Sequence, residues 1–540
     1  MFSFPVATCL CLNSPDALAA VIDRLMNCPK PTYTDVDRIK FDVAREFRLK
    51  EIPGNSSLIP FLRSLEERER LLPLLIRKRT RAASGVIVIA VMTKPLPCPH
   101  GRCKYCPGGP DEGVPQSYTG HEPASMRGVQ NNYDAFSQVS SRIRQLRSIG
   151  HIVDKVELVL MGGTFPSAPL EYQQSFVKGC LDGLLGHSPA ALEESLMAAE
   201  TSEIRNVGIT VETRPDFSGS REFDNLLKIG VTRVELGVQN VYDDIYERVD
   251  RGHRVKDVVG ATRFLKDAGL KVGYHMMPGL PGASFQQDFE GFKRIFSDPL
   301  FKPDMVKIYP TLVIKGTELH EMWRRGEYEP LTSEEAVRLL SEVKELVPPW
   351  VRIMRVQRDI PAGLVEAGVR RSNLRELVLH DMQERGKRCR CIRCREIGHT
   401  DQKLGSKLLD DDLAVHNITY EASSGTEEFL SIEDPESQIL VALLRLRIPS
   451  EAEARPEIDP HRDTIVRELH VYGQMIPVRT RTPEAKQHKG WGSLLLSEAE
   501  RLSRERYDRS KILVTSALGA KEYFFAHGYS RDGVYVSKQL

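Results

Sequence analysis

The chain has 540 residues, which is too long for one small core and predicts two or three domains. Hydrophobic residues make up 41% and charged residues 28%, an ordinary balance for soluble globular protein. Because 75 Lys and Arg residues nearly cancel 74 Asp and Glu residues, the net charge of +1 excludes a globally basic nucleic-acid binder, and any such surface must be a local patch.

Membrane and secretion signals are missing from the sequence. No apolar run approaches the roughly 20 residues that a membrane helix needs, and residues 1–11 are mildly apolar without the basic start of a signal peptide. Six of the ten cysteines fall in two tight clusters, a distribution typical of metal binding in a reducing compartment rather than of disulfides. We therefore expect a cytoplasmic protein with no membrane partner.

Residues 1–83 are predicted to form a basic helical segment. Amphipathic runs start near positions 14, 34 and 59, and the segment closes with the sequence RKRTR at 77–81. A contact to an RNA backbone and a merely solvated charged edge are both consistent with that run.

From residue 84 to 360 the pattern alternates between short β-branched runs and amphipathic helices. Such repeats predict a parallel sheet, closed or partly closed into a barrel, with its active site at the carboxyl ends of the strands. A basic linker with three cysteines follows at 361–410, and residues 411–540 are predicted to form a mixed α/β domain. In the barrel we expect strands at 86–92, 156–161, 207–212, 233–238, 272–277, 305–309 and 351–356.

The sequence CPHGRCKYC at 98–106 follows the first predicted strand and places three thiols on a tight turn. Thiolates at such short spacing typically hold an iron–sulfur cluster, and three of them leave one position for another ligand. Cys98, Cys103 and Cys106 are therefore the predicted cluster ligands. A zinc ion with His100 as its fourth ligand is the alternative.

A second cysteine group has the sequence CRCIRC at 389–394. A structural zinc ion takes four Cys or His ligands, so these three cysteines need one partner. We predict that Cys389, Cys391, Cys394 and His399 bind Zn²⁺, with His380 as the alternative fourth ligand, and that the ion clamps the linker.

The sequence QHKGWG at 487–492 stands before a predicted helix. A glycine turn at a helix N-terminus presents backbone N–H groups and the positive end of the helix dipole to a pyrophosphate. The pattern alone is weak, because glycine turns before helices are common. The predicted ligand-binding residues are Gln487, His488, Lys489, Gly490, Trp491, Gly492 and Ser493.

Together with the turn MGGT at 161–164 and the run MVKIYP at 305–310, the first cysteine loop resembles the Elp3 branch of the radical SAM superfamily. The gap of four residues between Cys98 and Cys103 is one longer than the usual superfamily spacing, which Elp3-like proteins tolerate. The resemblance implies an α/β fold: a partial (β/α) barrel of radical SAM type joined to a Gcn5-related N-acetyltransferase domain. It also implies a [4Fe–4S] cluster, S-adenosylmethionine (SAM) at the fourth iron, and acetyl-CoA bound at 487–493.

Further site residues follow from the same resemblance. Gly162 and Gly163 are expected to bind SAM, because glycine lets a ligand approach the backbone closely. Glu212 and Arg214 are expected to hold its amino-acid part, with a buried salt bridge between them as the alternative.

The resemblance also implies catalytic residues. Lys307 and Tyr309 match positions in an inter-domain site, and Lys315 is expected to bind the cofactor there; ordinary polarity at a strand end is the alternative. Tyr523 is expected to bind acetyl-CoA and to act on its thioester or its leaving group. Many relatives have a second tyrosine where this chain has Phe524.

The implied reaction is a tRNA modification. A SAM-derived 5′-deoxyadenosyl radical would take hydrogen from the methyl group of acetyl-CoA, and the carbon radical would add to C5 of the wobble uridine in the anticodon loop. Hydrolysis of the thioester would leave carboxymethyluridine. The implied partners are tRNA, a reductant for the cluster, and Elongator-like accessory subunits or none. The alternatives are a protein lysine acetyltransferase with a structural Fe–S cluster and a non-catalytic RNA-binding scaffold.

Arginines are dense around the second cysteine group. Beside a cleft between two catalytic domains, so many guanidinium groups favour contacts to phosphate over ordinary surface charge. The arginines in question are Arg370, Arg371, Arg375, Arg385, Arg388, Arg390, Arg393 and Arg395.

Overall fold

The computed structural model describes residues 14–76, 79–399, 412–452, 454–473 and 490–540. The chain divides into two compact units, one drawn from residues 1–82 and 141–153 and the other from residues 83–140 and 154–540. None of the helices in these described ranges is long and apolar enough to cross a membrane.

The first unit is helical and has its own apolar core. Thr32 and Ser64 cap the second and fourth helices, each in a reciprocal capping box that satisfies backbone N–H groups at the helix start. Val21, Leu25 and Leu71 are among the fully buried residues of the core. The helices are α1 (Pro15–Met26), α2 (Tyr33–Glu46), α3 (Asn55–Leu58) and α4 (Leu65–Leu75).

The second unit contains a parallel sheet whose described strands follow one another in chain order. Its edge strands do not pair with each other in the described chain, so the predicted parallel barrel is confirmed in its partly closed form. The strands are β1 (Ile87–Met92), β2 (Lys155–Met161), β3 (Arg205–Thr213), β4 (Arg233–Gln239), β5 (Lys271–Met276), β6 (Met305–Ile308) and β8 (Arg352–Arg355), and a separate antiparallel ribbon joins β7 (Val313–Ile314) to β9 (Val365–Ala367).

Helices connect these strands, as parallel pairing requires. Central strands such as β4 are buried along almost their whole length, because elements cover both faces of the sheet. The helices are α5 (Pro123–Gln130), α6 (Ala135–Ser148), α7 (Leu170–Leu185), α8 (Leu192–Thr201), α9 (Ser220–Lys228), α10 (Asp243–Arg248), α11 (Val255–Asp267), α12 (Phe285–Ser297), α13 (Glu318–Arg324), α14 (Ser333–Leu346), α15 (Leu374–Glu384) and α16 (Ile392–Arg395).

A second, mixed sheet follows in the same unit, as predicted. Its described strands run in the order β10-β11-β12-β13-β14-β16-β15, and every neighbouring pair is antiparallel except β13 and β14. The elements are β10 (Ala414–Ala422), β11 (Gly425–Glu433), β12 (Leu440–Ile448), β13 (Asp463–Val471), α17 (Trp491–Glu505), β14 (Lys511–Val514), α18 (Lys521–Phe525), β15 (Ser530–Asp532) and β16 (Tyr535–Gln539).

Buried ion pairs join the two sheets. Arg467 on β13 bonds both carboxylate oxygens of Asp304, which precedes β6, and also reaches Glu427 at 2.7 Å. Lys266 on α11 lies 3.4 Å from Asp304 and 3.5 Å from Glu427. These side chains are at most 1% exposed, so the second sheet is held against the barrel by charges that water does not reach.

Candidate active site

The first cysteine loop leaves β1 at the carboxyl edge of the parallel sheet, and polar side chains meet its sulfurs. Cys98 Sγ lies 3.4 Å from Thr164 Oγ1, which belongs to the turn after β2. Gln116 Nε2 donates to Cys106 Sγ at 3.1 Å. Burial raises the pKa of the Cys98 thiol, and the bond with Thr164 offsets part of that effect. A coordinating thiol loses its proton when a metal binds, so burial does not prevent ligation.

The third sulfur, that of Cys103, lies beside two nitrogen-bearing side chains. His100 Nε2 is 3.1 Å away, and Arg251 Nη1 donates to the sulfur at 3.6 Å. Arg251 is buried, and its Nη2 also donates to the carbonyl of Gly237 at 2.6 Å. A fixed cation stabilises a thiolate. Sequence reasoning missed Arg251, because nothing local distinguishes it from a surface arginine.

The spacing of the loop sulfurs fits a cluster better than a single ion. Sulfurs bound to one tetrahedral zinc ion would lie about 3.8 Å apart, since Zn–S bonds are about 2.3 Å. Among the described residues, Cys98, Cys103 and Cys106 do not form a set whose donor atoms all lie within 4.8 Å of one another. Separate irons of a [4Fe–4S] cluster take separate sulfurs, so these three thiols suit that group. The zinc alternative with His100 is disfavoured.

The glycine turn after β2 needs its glycines. Gly162 has a φ of 136° and Gly163 a φ of 94°, values that L side chains rarely adopt. A Cβ on Gly162 would lie 1.9 Å from Thr93 Oγ1, inside the segment that leads into the cysteine loop. At Gly163 the nearest atom would be Gln116 Cβ at 3.5 Å. The turn therefore packs directly beneath the loop, where the prediction places SAM.

Glu212 and Arg214 both lie at the end of β3, but they take different partners. Tyr118 donates its hydroxyl to Glu212 at 2.8 Å. Arg214 is buried and forms two hydrogen bonds to the Asp216 carboxylate, at 2.9 and 2.7 Å. It also donates to the carbonyl of Arg251 at 2.8 Å. The chain's own acceptors thus engage Arg214, and its role toward SAM stays a prediction.

Lys307 lies at the centre of a buried acidic group. Its Nζ bonds Glu235 and lies 3.7 Å from Glu212. Glu235 also contacts His275 Nε2 at 2.8 Å, and the His275 ring meets Tyr309 edge-on at 5.5 Å between centroids. The predicted pair Lys307 and Tyr309 therefore belongs to one contiguous cluster.

Both members of the central ion pair are held charged. Burial alone would lower the pKa of Lys307, but Glu235 and Glu212 raise it overall. Burial alone would raise the pKa of Glu235, but Lys307 and His275 hold it well below its usual range. Sequence reasoning missed Glu235 and His275. Their sequence signal is a single polar residue between apolar neighbours inside a strand.

The second sheet opens where its two parallel strands separate. β13 and β14 pair from Asp463 opposite Lys511 to Val466 opposite Val514, after which β13 continues to Val471 while β14 ends. Such a gap between parallel strands exposes backbone groups that would otherwise pair with each other. Beyond Val466, the side of β13 that faces away from β12 could therefore receive an extended ligand through its backbone.

The described part of the glycine turn predicted to bind acetyl-CoA, residues 490–492, lies next to this opening. Gly490 has a left-handed backbone conformation, with a φ of 89°, and immediately precedes α17. A Cβ on Gly492 would lie 2.8 Å from the Tyr523 hydroxyl and 3.8 Å from Val471 Cγ2. Ser493 Oγ is 3.4 Å from the same hydroxyl. The start of α17, Tyr523 and the end of β13 are thus in contact.

The other residues predicted for cofactors divide into two sets. Gln487, His488 and Lys489 lie outside the described residues. Lys315 is exposed on the turn between β7 and α13, and Trp491 is half-buried in the first turn of α17.

The second cysteine group gathers tightly. The sulfurs of Cys389, Cys391 and Cys394 lie within 4.8 Å of one another, close enough to share one metal ion. Lys344, fully buried on α14, points its Nζ at Cys394 Sγ from 3.8 Å. Burial alone would lower the pKa of Lys344, but the three thiols raise it.

Neither predicted histidine joins these sulfurs in the described chain. His399 Nε2 lies 2.9 Å from Glu396, and His380 is exposed and lies 3.3 Å from Glu384. The fourth zinc ligand therefore stays a prediction. The linker is nevertheless anchored, because Ile392 donates to the carbonyl of Val351 at 3.0 Å and is buried in the core of the second sheet.

The arginines around this group do not form one surface. Arg395 is buried and pairs with Glu433. Arg375 donates to the carbonyl of Ile353 at 3.2 Å. Others are exposed and remain available for phosphate contacts, namely Arg370, Arg371, Arg385, Arg388 and Arg390.

Comparison with known proteins gives the family. A model of the Radical SAM superfamily matches residues 96–292, and a model of the Radical_SAM C-terminal domain matches residues 303–384. A curated tRNA uridine(34) acetyltransferase of Methanocaldococcus jannaschii is 48% identical over 532 residues, which cover 97% of this chain and 98% of the relative. The Elongator complex protein 3 of Homo sapiens is 44% identical over 514 residues, covering 94% and 93%. The chain belongs to the Elp3 family.

A solved Elp3 structure agrees with this membership. The archaeal Methanocaldococcus infernus Elp3 with an N-terminal deletion (1–46) superposes with a TM-score of 0.76 at 46% identity, covering 85% of this chain and 100% of that one. The resemblance to the Elp3 family and the radical SAM type of the barrel, both predicted from the sequence, are confirmed. Membership of the radical SAM superfamily implies a [4Fe–4S] cluster and SAM, and the range 96–292 contains the first cysteine loop.

Proposed function

We propose that this chain modifies the wobble uridine of tRNA, using a SAM-derived radical and acetyl-CoA to form carboxymethyluridine. The observation that carries the proposal is that the three-cysteine loop and the sheet that opens beside a glycine turn belong to one compact unit. Relatives named tRNA uridine(34) acetyltransferase, 48% identical over nearly the whole chain, support it.

On this proposal the barrel residues prepare the radical step. Cys98, Cys103 and Cys106 would hold a [4Fe–4S] cluster, which with SAM supplies a 5′-deoxyadenosyl radical able to take hydrogen from a methyl group. Arg251 would stabilise the Cys103 thiolate with its buried charge. Gly163, where a Cβ would meet no atom nearer than 3.5 Å, would leave the backbone open to a close ligand.

Lys307 would act on the substrate. Glu235 keeps the Lys307 ammonium charged in a buried site. A fixed cation in such a site stabilises negative charge that develops on a carbonyl oxygen. Tyr309 would belong to the same buried site through its contact with His275. Lys307 and Tyr309 can contact the target uridine only if that base is unpaired. The anticodon loop supplies an unpaired base, and sequence-specific RNA recognition mostly targets such single-stranded loops.

Acetyl-CoA would bind in the opening between β13 and β14. Its pyrophosphate would lie at the start of α17, where free N–H groups and the helix dipole favour a negative charge. Zn²⁺ would bind Cys389, Cys391 and Cys394 and hold the linker in place.

One assay tests the whole proposal. Reduced, cluster-reconstituted protein is incubated anaerobically with tRNA, SAM and acetyl-CoA, and the nucleosides are then analysed. We expect 5′-deoxyadenosine together with carboxymethyluridine, and Cys103→Ala should abolish both. Cys28→Ala, which changes a cysteine outside both clusters, is the matched control. Product formed by Cys103→Ala would overturn the proposal, and lysine acetylation without SAM would support the protein acetyltransferase instead.

A further inference from the structure

We propose that Ser493 and His527 form a nucleophile and base pair that hydrolyses the thioester in the second sheet. This inference rests on the proposed function, because it takes acetyl-CoA as the ligand of the opening beside α17. Ser493 Oγ lies 2.8 Å from His527 Nε2. His527 Nδ1 lies 2.8 Å from the backbone carbonyl of Tyr523. The hydroxyl of Ser493, the ring of His527 and the carbonyl of Tyr523 therefore form one chain of hydrogen bonds, with a nucleophile, a base and a group that orients the base.

The carbonyl decides which nitrogen of His527 carries the proton. A carbonyl oxygen only accepts hydrogen bonds, so Nδ1 must be the donor. In the neutral ring Nε2 is then left as an acceptor, facing the Ser493 hydroxyl. That tautomer can remove the serine proton, as in hydrolases that activate a serine through a histidine. Here a backbone carbonyl orients the ring in place of a carboxylate.

The surroundings of Ser493 can stabilise an oxyanion. It is the third residue of α17, so it lies among the helix N–H groups that have no partner within the helix. The Tyr523 hydroxyl is 3.4 Å from its Oγ on another side, and burial raises the pKa of Tyr523, which keeps that hydroxyl a donor. Preorganised donors of this kind stabilise the tetrahedral state of acyl transfer.

The pair is also open to a ligand. Tyr523 is 36% exposed, and Ser493 and His527 are half-buried, so a thioester can reach them from solvent. Gly490 and Gly492 carry no side chain that would cover the start of α17. A serine hydrogen-bonded to a histidine inside a core would lack this access.

The step balances without any further reagent. Ser493 Oγ attacks the thioester carbonyl, the C–S bond breaks, and the serine proton passes through His527 to the leaving thiolate. The products are free CoA and an acyl ester on Ser493. Water then attacks this ester, His527 takes a proton from the water and passes it to Ser493 Oγ as the ester C–O bond breaks, and the carboxylic acid released loses its proton to solvent. The sum converts one thioester and one water into one carboxylate, one thiol and one proton.

The proposed reaction needs this step. Adding the acetyl methyl carbon to uridine C5 leaves the C–S bond intact, so the product stays attached to CoA until the thioester is hydrolysed. Ser493 and His527 would release it. They act after the radical step and in a different sheet from the cysteine loop.

The test measures CoA release and SAM cleavage separately in the variants Ser493→Ala and His527→Ala. We expect the rate of CoA thiol release to fall by about 100-fold or more, while 5′-deoxyadenosine still forms from SAM. Imidazole in the buffer should restore part of the release in His527→Ala. Ser497→Ala and His461→Ala, exposed positions in the same domain, are the matched controls and should match the wild type.

A second measurement covers the case in which a variant fails to fold. Reduced wild-type protein is mixed with tRNA, SAM and acetyl-CoA, quenched in acid and digested with nuclease and protease, and the mass of the peptide that contains Ser493 is measured. An added acyl group on Ser493 supports the inference. Its absence at all times, or undiminished CoA release by folded Ser493→Ala, overturns it. If CoA release depends on Ser493 but no carboxymethyluridine ever forms, the pair stands and the proposed function fails.

Discussion

Arg467 and Asp304 lie 163 residues apart on different sheets, yet two hydrogen bonds of 2.7 Å join the guanidinium to both carboxylate oxygens. Both side chains are fully buried. A two-point pair of this kind fixes orientation as well as distance. The pair therefore fixes how the second sheet meets the barrel, and the cysteine loop and the opening beside α17 belong to one compact unit.

Removing one partner of this pair should destabilise the second unit strongly. In Arg467→Met the Asp304 carboxylate keeps Lys266 and the Val272 N–H but loses both guanidinium hydrogen bonds, and breaking a buried pair typically costs about 3–5 kcal/mol. Urea unfolding followed by circular dichroism measures the loss. Arg501→Met, which breaks an exposed pair with Glu498, should change the midpoint far less. Equal effects of the two variants would contradict the structure.

The same region should be sensitive to acid. Burial alone would raise the pKa of Glu468, but Arg445, at 2.7 Å, lowers it from 4.5 to about 2. A depressed carboxyl pKa stabilises the fold above the unfolded value, and this stabilisation is lost as the pH falls. Stability should therefore decline between about pH 4.5 and 2. Glu468→Gln should flatten this part of the pH curve, and an unchanged slope would count against the pairing.

Gly162→Ala should disturb the turn beneath the cysteine loop. The new Cβ would lie 1.9 Å from Thr93 Oγ1 in a backbone conformation unfavourable for alanine, and such strain costs about 1–3 kcal/mol. We expect a lower melting temperature and less iron bound after reconstitution. Adding Thr93→Ala should recover part of the loss, because it removes the contacting atom. Gly186→Ala, left-handed but with open space around it, isolates the backbone contribution.

Glu235→Gln should impair catalysis through Lys307. Without the carboxylate, the buried ammonium loses its closest partner and its pKa falls. Product formation should drop by about 100-fold, and the alkaline limb of the pH–rate profile should move to lower pH. Glu290→Gln on the exposed face of α12 is the control. A lower rate with an unmoved alkaline limb would show that Glu235 serves the fold alone.

Lys344→Met should weaken zinc binding if the second cysteine group holds that ion. Three thiolates around Zn²⁺ carry a net negative charge, which the buried ammonium 3.8 Å from Cys394 Sγ balances. Loss of an outer partner typically lowers metal affinity about 10- to 100-fold. Competition with a chelator followed by metal analysis measures the change. Lys387→Met, which alters a half-exposed lysine nearby, should retain zinc.

Local patterns could be predicted from the sequence. The βα alternation depends on residues close together in the chain, and it correctly indicated the parallel sheet. The active site at the carboxyl edge of that sheet stays a prediction. The spacing of Cys98, Cys103 and Cys106 is equally local, as is the glycine turn at 162 and 163. Each of these features is built by one short segment.

Pairings between distant segments could not be predicted. Glu235 meets Lys307 across 72 residues, and Arg251 meets Cys103 across 148. Periodicity indicates which face a side chain occupies, but not which residue of another strand lies opposite. For the same reason Arg395, expected to contact phosphate, is instead a buried partner of Glu433.

The ion pairs between the sheets also bear on whether the barrel and the second sheet can be separated into independent proteins. If the chain were cut before β10, the second sheet would carry Arg445, Arg447 and Arg467 on a face that no longer meets Asp304 and Asp267. The second sheet would then expose three arginines against the two carboxylates of Glu427 and Glu468, and the barrel would keep Asp304 and Asp267 with Lys266 to balance them. The barrel and the second sheet are therefore not interchangeable modules. A fusion of either one to a different domain must include partners for these ion-paired side chains.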